Sequence, residues 1–219
     1  MKTCKVTACA RPVAGFSTMC GVHRVVIARH GHPEQTPVRL HELRGQLKRI
    51  ETRRQRNPDN PTWPLLRERW AAVQAWAVEY SNTAEAGGVV NRYALDAARQ
   101  VNQLGSTPAD KVVDVSLSLY LLQEDQPHRF RSDLAFDRQL ARRARRTSRI
   151  AAGSYWNDKL QRTSLVFKDS PPRTTDALAA LLKEAFGPAG IALARLEHSE
   201  AQAVFDKERQ FNNALESLT

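Results

Sequence analysis

Three cysteines and a histidine near the start of the chain constrain its fold more than any other feature. Cys4, Cys9, Cys20 and His23 read Cys-x4-Cys-x10-Cys-x2-His, and no further cysteine occurs in the 219 residues. Two close pairs of soft or borderline donors are what a tetrahedral zinc ion needs, because each pair closes a short chelating loop. Cys20 and His23, three apart, come to the same side of one helical turn. The cysteines would bind as thiolates and His23 as a neutral imidazole, so such a site depends on pH. Unrelated thiols would not gather within the first 20 positions. A disulfide is the competing reading; it leaves one thiol over, and Met1-Lys2-Thr3-Cys4 carries no apolar secretory segment behind it. His30 or His32 could replace His23, but both stand farther from Cys20. The expected cofactor is one structural Zn2+ on Cys4, Cys9, Cys20 and His23.

The same stretch resembles a short zinc module of phage and mobile-element proteins, several of them DNA-binding and some fused to endonuclease domains. That family writes Cys-x4-Cys-x-Arg-Pro, a Gly-containing loop, Cys-x2-His, a basic aromatic helix and His-Gly-x-Pro. The matching residues are Cys4, Cys9, Arg11, Pro12, Gly15, Cys20, His23, His30, Gly31 and Pro33. The middle loop is about one residue longer here. Where the family's helix carries Tyr, Arg and Trp, this chain reads Arg24-Val25-Val26-Ile27-Ala28-Arg29. The resemblance therefore carries over the metal ligands more fully than the nucleic-acid surface, and it covers only the first 33 residues.

Charge supplies the second constraint. The net charge is +10, and it is segregated: residues 1–56 hold 12 Lys or Arg against 3 acids, and residues 129–173 come to +8, with acidic stretches between and after. Clustered cations gain affinity for polyanions by releasing counterions from phosphate. A solvated basic face is the alternative. Arginine dominates both blocks, and its planar fork suits bidentate phosphate and guanine contacts. No run of 18 apolar residues occurs and no apolar signal segment stands behind Met1, so no membrane span and a cytoplasmic location are the expectations.

Read in order, the chain predicts a mainly α protein. After a linker at Glu34–Pro37, Leu40, Leu43, Leu47 and Ile50 form one helical stripe, with Arg39, Arg44, Lys48, Arg49, Arg53 and Arg54 on the other faces. The Asn57–Pro61 cluster stops it. Helices follow over Trp63–Ser81, whose tryptophans at helical spacing read as core, and over Val89–Leu104. Thr107 as cap and Pro108 in the first position open the next. Val112–Leu122 is apolar on nearly every face and is the candidate buried helix. Leu134–Ile150 sets Arg138, Arg142, Arg145 and Arg149 on one line with Arg143 and Arg146 beside it; pairing to the protein's own acids is the alternative to an anion. Trp156–Lys159 reads as a turn and Ser164–Phe167 as a strand, giving at most one short β-hairpin. A helix from Thr175 to Phe186, a break at Gly187-Pro188 and a last helix over Ile191–Leu215 complete the chain. The organisation expected is a zinc module (1–33), a basic helix with linker (34–60) and a helical domain (61–219).

No catalytic motif stands out. There is no Gly-x-Gly-x-x-Gly, P-loop, Gly-x-Ser-x-Gly or His-Glu-x-x-His. The only histidines beyond residue 41 are His128 and His198, too few for an HNH-type nuclease site. Asp114 and Glu124 could converge in space, but their spacing does not predict it. The expected function is non-catalytic, zinc-dependent nucleic-acid binding, with duplex DNA favoured over RNA, as in a phage or mobile-element factor. The alternative is a subunit of a larger nucleoprotein complex, such as a CRISPR-type effector, that also docks other proteins. The expected contacts are Arg24, Arg29, Arg44, Lys48, Arg49, Arg53, Arg138, Arg142, Arg145, Arg146 and Arg149, with the 138–149 face the stronger contributor.

Overall fold

A computed structural model describes residues 2–148, 153–166 and 169–216. Among these residues run seven α-helices and one hairpin: α1 (Gly21–His30), α2 (Arg44–Arg56), α3 (Thr62–Glu85), α4 (Arg92–Leu104), α5 (Ala109–Asp125), α6 (Asp133–Arg145), β1 (Gly153–Asn157), β2 (Arg162–Val166) and α7 (Pro172–Glu216). The mainly α reading with one short hairpin holds.

Helix α5 is the hub, packed on by α2, α3, α6 and α7. Every side chain from Val112 to Leu122 is buried except Asp114, as the all-round apolar pattern requires. Its two serines fit a dry environment because each hydroxyl donates to its own helix, Ser116 to the Val112 carbonyl and Ser118 to the Val115 carbonyl. Trp63 and Trp70 are buried in the same core, and Trp70 meets Phe186 of α7 at 5.9 Å between rings. Val38, Leu43 and Ile50 join that one buried cluster, so α2 packs with the helical body.

Several boundaries differ from the sequence reading, each for a local reason. Leu40–Leu43 is one 3-10 turn, with Leu40 exposed, and the α-helix starts only at Arg44. Helix α4 is capped by Asn91, whose side chain accepts from the Tyr93 and Ala94 amides. Thr107 does not cap α5; it is buried, and Pro108 takes the cap position. Helix α6 is capped by Ser132, which accepts from the Ala135 amide, and ends at Arg145. Arg149 and Ile150 lie outside the described residues.

The break expected at Gly187-Pro188 is absent, and α7 runs unbroken for 45 residues. At a rise of about 1.5 Å per residue the helix is about 67 Å long. Pro188 sits on the exposed side, and the glycines face inward because Tyr120 lies on them. A Cβ on Gly190 would come within 2.3 Å of the Tyr120 ring. This Gly-Pro-Ala-Gly segment is thus a close-approach site for an aromatic ring. Burial of Leu178, Leu182 and Phe186 on the same helix offsets the lost backbone bond. By length and composition α7 is also apolar enough to cross a membrane, although part of its apolar stretch is buried in the core. Side chains from His198 to Asn213 are exposed, apart from the half-buried Asp206.

Candidate metal centre and basic surface

The first ligand pair is delivered by a short knuckle. Thr3 and Pro12 form an isolated antiparallel bridge, the Cys4 amide donates to the Arg11 carbonyl at 3.0 Å, and the Val13 amide donates to the Lys2 carbonyl at 2.9 Å. Between them the chain turns back on itself, with the Cys9 amide donating to the Val6 carbonyl at 3.1 Å and Ala8 left-handed at φ 59°. The second pair comes from the start of α1. Cys20 is its N-cap, so the sulfur and the His23 ring are one turn apart.

These two pieces converge. His23 Nδ1 lies 3.3 Å from Cys4 Sγ and 3.5 Å from Cys20 Sγ, and the Cys20 amide donates to Cys4 Sγ at 3.3 Å. The ligand atoms of Cys4, Cys9, Cys20 and His23 all fall within 4.8 Å of one another. A tetrahedral ion with bonds of about 2.0–2.3 Å spaces its ligand atoms about 3.3–3.8 Å apart, so the four residues fit a metal ion. The amide of His23, at the helix start, pulls the Cys20 thiol below its usual range and favours the thiolate that binds metal. All three cysteines are free, and no pair forms a disulfide.

His30 and Gly31 seat this module on α6. The Val38 amide occupies Gln139 Oε1 at 2.9 Å, leaving Gln139 Nε2 to donate to His30 Nδ1 at 3.1 Å. His30 is therefore a neutral, buried packing residue and not a metal ligand. Burial, then the nearby Arg142, pushes its pKa down to about 4. Gly31 ends α1 in the left-handed region at φ 83°, where a Cβ would stand 2.6 Å from the Leu134 backbone. Arg138 completes the joint. It donates to the Ile27 and Ala28 carbonyls at the end of α1 and forms a two-pronged pair with Asp176 at 2.8 and 3.0 Å.

The cations named from the sequence therefore divide into two groups. Arg138 is 6% exposed, so the expected line of arginines is not a continuous solvent face. Arg29 and Arg142 share Asp169, at 2.9 and 2.8 Å. Arg49 meets Asp125 and Glu197, and Arg53 meets Glu197 and Glu200. Arg54, beside them, pairs with Asp114. By contrast, Arg24, Arg44 and Lys48 are exposed and have no carboxylate partner among the described residues. Arg145 and Arg146 stand beside Arg142 at the end of α6, where burial first and Arg142 next depress both of their pKa values. Arg149 lies outside the described residues.

Lys2, Lys5 and Arg11 join Arg24 as exposed cations of the metal module with no carboxylate partner among the described residues. The signal for them was present: residues 1–33 contain five Lys or Arg and no Asp or Glu. Asp169 and Asp176, which pair with Arg142 and Arg138 of α6, gave no such signal. No family model, no curated protein and no solved structure matches this chain.

Proposed function

We propose that the protein is a zinc-stabilised, non-catalytic nucleic-acid-binding protein whose N-terminal module supplies the primary contact. The observation that carries this reading is the contrast in charge pairing. Arg49, Arg53, Arg54, Arg129, Arg138 and Arg142 of the body are matched to carboxylates, whereas Lys2, Lys5, Arg11 and Arg24 stand exposed on an acid-free module. Zinc with three thiolates and a neutral histidine adds only one negative charge, leaving the module strongly positive. Such a surface attracts phosphate by counterion release. Three sulfurs and one nitrogen at tetrahedral spacing favour zinc over hard cations, which take oxygen ligands. The likeness to phage and mobile-element modules supports the same reading and favours DNA. Zinc here builds the module and supplies no reaction step: Cys4 and Cys20 tie the knuckle to α1, and α1 presents Arg24.

The test is fluorescence anisotropy on a labelled 20-base-pair duplex across a salt series. Lys5→Ala, Arg11→Ala and Arg24→Ala combined should weaken binding and flatten the salt slope by about two to three units, at roughly 0.9 per phosphate contact. Unchanged affinity in that triple variant would contradict the reading. A second reading, a subunit that docks other proteins, is favoured by Val204, Phe205 and Phe211, large apolar side chains left exposed on the outer part of α7.

A further inference from the structure

The β1–β2 hairpin is exposed along nearly its whole length. Its strands pair in register from Gly153↔Val166 to Asn157↔Arg162, and they make no extensive contact with any helix among the described residues. An isolated two-stranded hairpin is marginal in water, so exposed apolar side chains on it need a reason. Side chains alternate, which puts Trp156 and Leu165 on one face and Tyr155 and Val166 on the other. All four are exposed, Trp156 by 57% and Tyr155 by 53%. Across the ladder Trp156 faces Thr163 and Tyr155 faces Ser164, so no ring or aliphatic chain stands directly opposite either aromatic. An element with bare rings on both faces suits a ligand that offers flat partners to each.

The surrounding charge identifies that ligand. Asp169, just beyond β2, binds Arg29 of α1 and Arg142 of α6, which brings the hairpin's root to the ends of both helices. Arg145 and Arg146 belong to the same cluster, and Lys159 and Arg162 lie on the hairpin itself. Among the described residues, the hairpin and the cluster at its root together carry six cations against two carboxylates, Asp158 and Asp169. A polyanion that also carries aromatic planes is a nucleic acid, and the planes are accessible only where bases are unpaired.

We infer that the β1–β2 hairpin is a stacking platform for unpaired bases of a single-stranded nucleic acid, held there by the arginines at its root. The inference rests on the nucleic-acid reading above and adds a second site with its own preference. Single-strand segments engage Trp156 and Tyr155, while the metal module engages phosphates of either form.

The test uses the full-length, metal-loaded protein with a labelled thymidine 20-mer and a duplex of equal length. Stacking of about 1–3 kcal/mol per base corresponds to roughly 5- to 150-fold. Trp156→Ala should weaken thymidine binding within that range, Trp156→Phe should restore most of it, and duplex affinity should change by less than about twofold. Trp63 and Trp70 are buried and Trp76 is half-buried, so most of the emission quenched by the 20-mer should come from Trp156 and vanish in Trp156→Phe. If the wild type binds both forms and Trp156→Ala binds them equally well, the platform is wrong while the module reading stands. Loss of self-association in Trp156→Ala without loss of thymidine binding would likewise overturn it and assign the hairpin to a protein contact. If the wild type binds neither form, both readings fall together.

Discussion

Replacing Gly31 with alanine tests the joint between the metal module and the helical body. Two separate penalties apply. Gly31 sits at φ 83°, in the left-handed region. An alanine held there costs about 1–2 kcal/mol. Its Cβ would also stand 2.6 Å from the Leu134 carbonyl carbon and oxygen and 2.7 Å from the Ala135 amide nitrogen. Those are backbone atoms in the first turn of α6, fixed by the Ser132 cap, and cannot swing aside as a side-chain end would. Overpacking of this kind costs about 1–3 kcal/mol, so the total is roughly 2–5 kcal/mol. For a chain of this size that lowers Tm by roughly 4–20 °C. Gly15→Ala is the matched control: Gly15 is also left-handed, at φ 63°, but no atom lies within 4 Å of its Cβ position. It should lose only the first penalty, about 1–2 kcal/mol. Urea unfolding of both variants with metal present measures the difference. Equal losses would refute the close seating of α1 on α6.

Three further outcomes follow from the same geometry. Cys20→Ser should lower metal content from one ion per chain to none and unfold the N-terminal module, read by elemental analysis and by proteolysis ahead of residue 34. His30 is held neutral, with a folded pKa of about 4 against 6.5 unfolded. Its contribution is therefore complete above about pH 6.5 and lost as pH falls through about 4, up to about 3 kcal/mol. Burial sets this first, followed by the charges of Arg142, Arg29 and Arg146, which Asp169 opposes. A His30→Gln variant should flatten that part of the stability profile, and an unchanged profile would count against the assignment. Truncation after Glu200 should leave Tm within about 2 °C, because the exposed outer turns of α7 bury little apolar surface.

How far the sequence could be read depended on the distance over which each interaction acts. The metal cluster was legible because its ligands lie within one short stretch and their spacing maps directly onto a knuckle and a helix start. The buried helix was legible because Val112–Leu122 is apolar on nearly every side. Charge pairing was not: Arg138 meets Asp176 across 38 residues and Arg49 meets Glu197 across 148, and no local pattern links them. The reading of Gly187-Pro188 as a break failed because a local preference met a tertiary contact. Tyr120 requires the glycines at that level of α7, and the packed face carries the helix past the proline. His30 and Gly31 were visible as motif residues, but their role in docking on α6 needed the fold.

The most direct test of the central claim is the affinity for a labelled oligonucleotide, measured on metal-loaded protein and again after chelation is verified by elemental analysis. If Cys4, Cys9, Cys20 and His23 hold the ion that builds the basic module, removing it disperses Lys2, Lys5, Arg11 and Arg24. Affinity should then fall at least about tenfold, and the salt slope should flatten by about two to three units. The same affinity and slope in the metal-free protein would contradict the account, because the cations would then act without the centre that positions them.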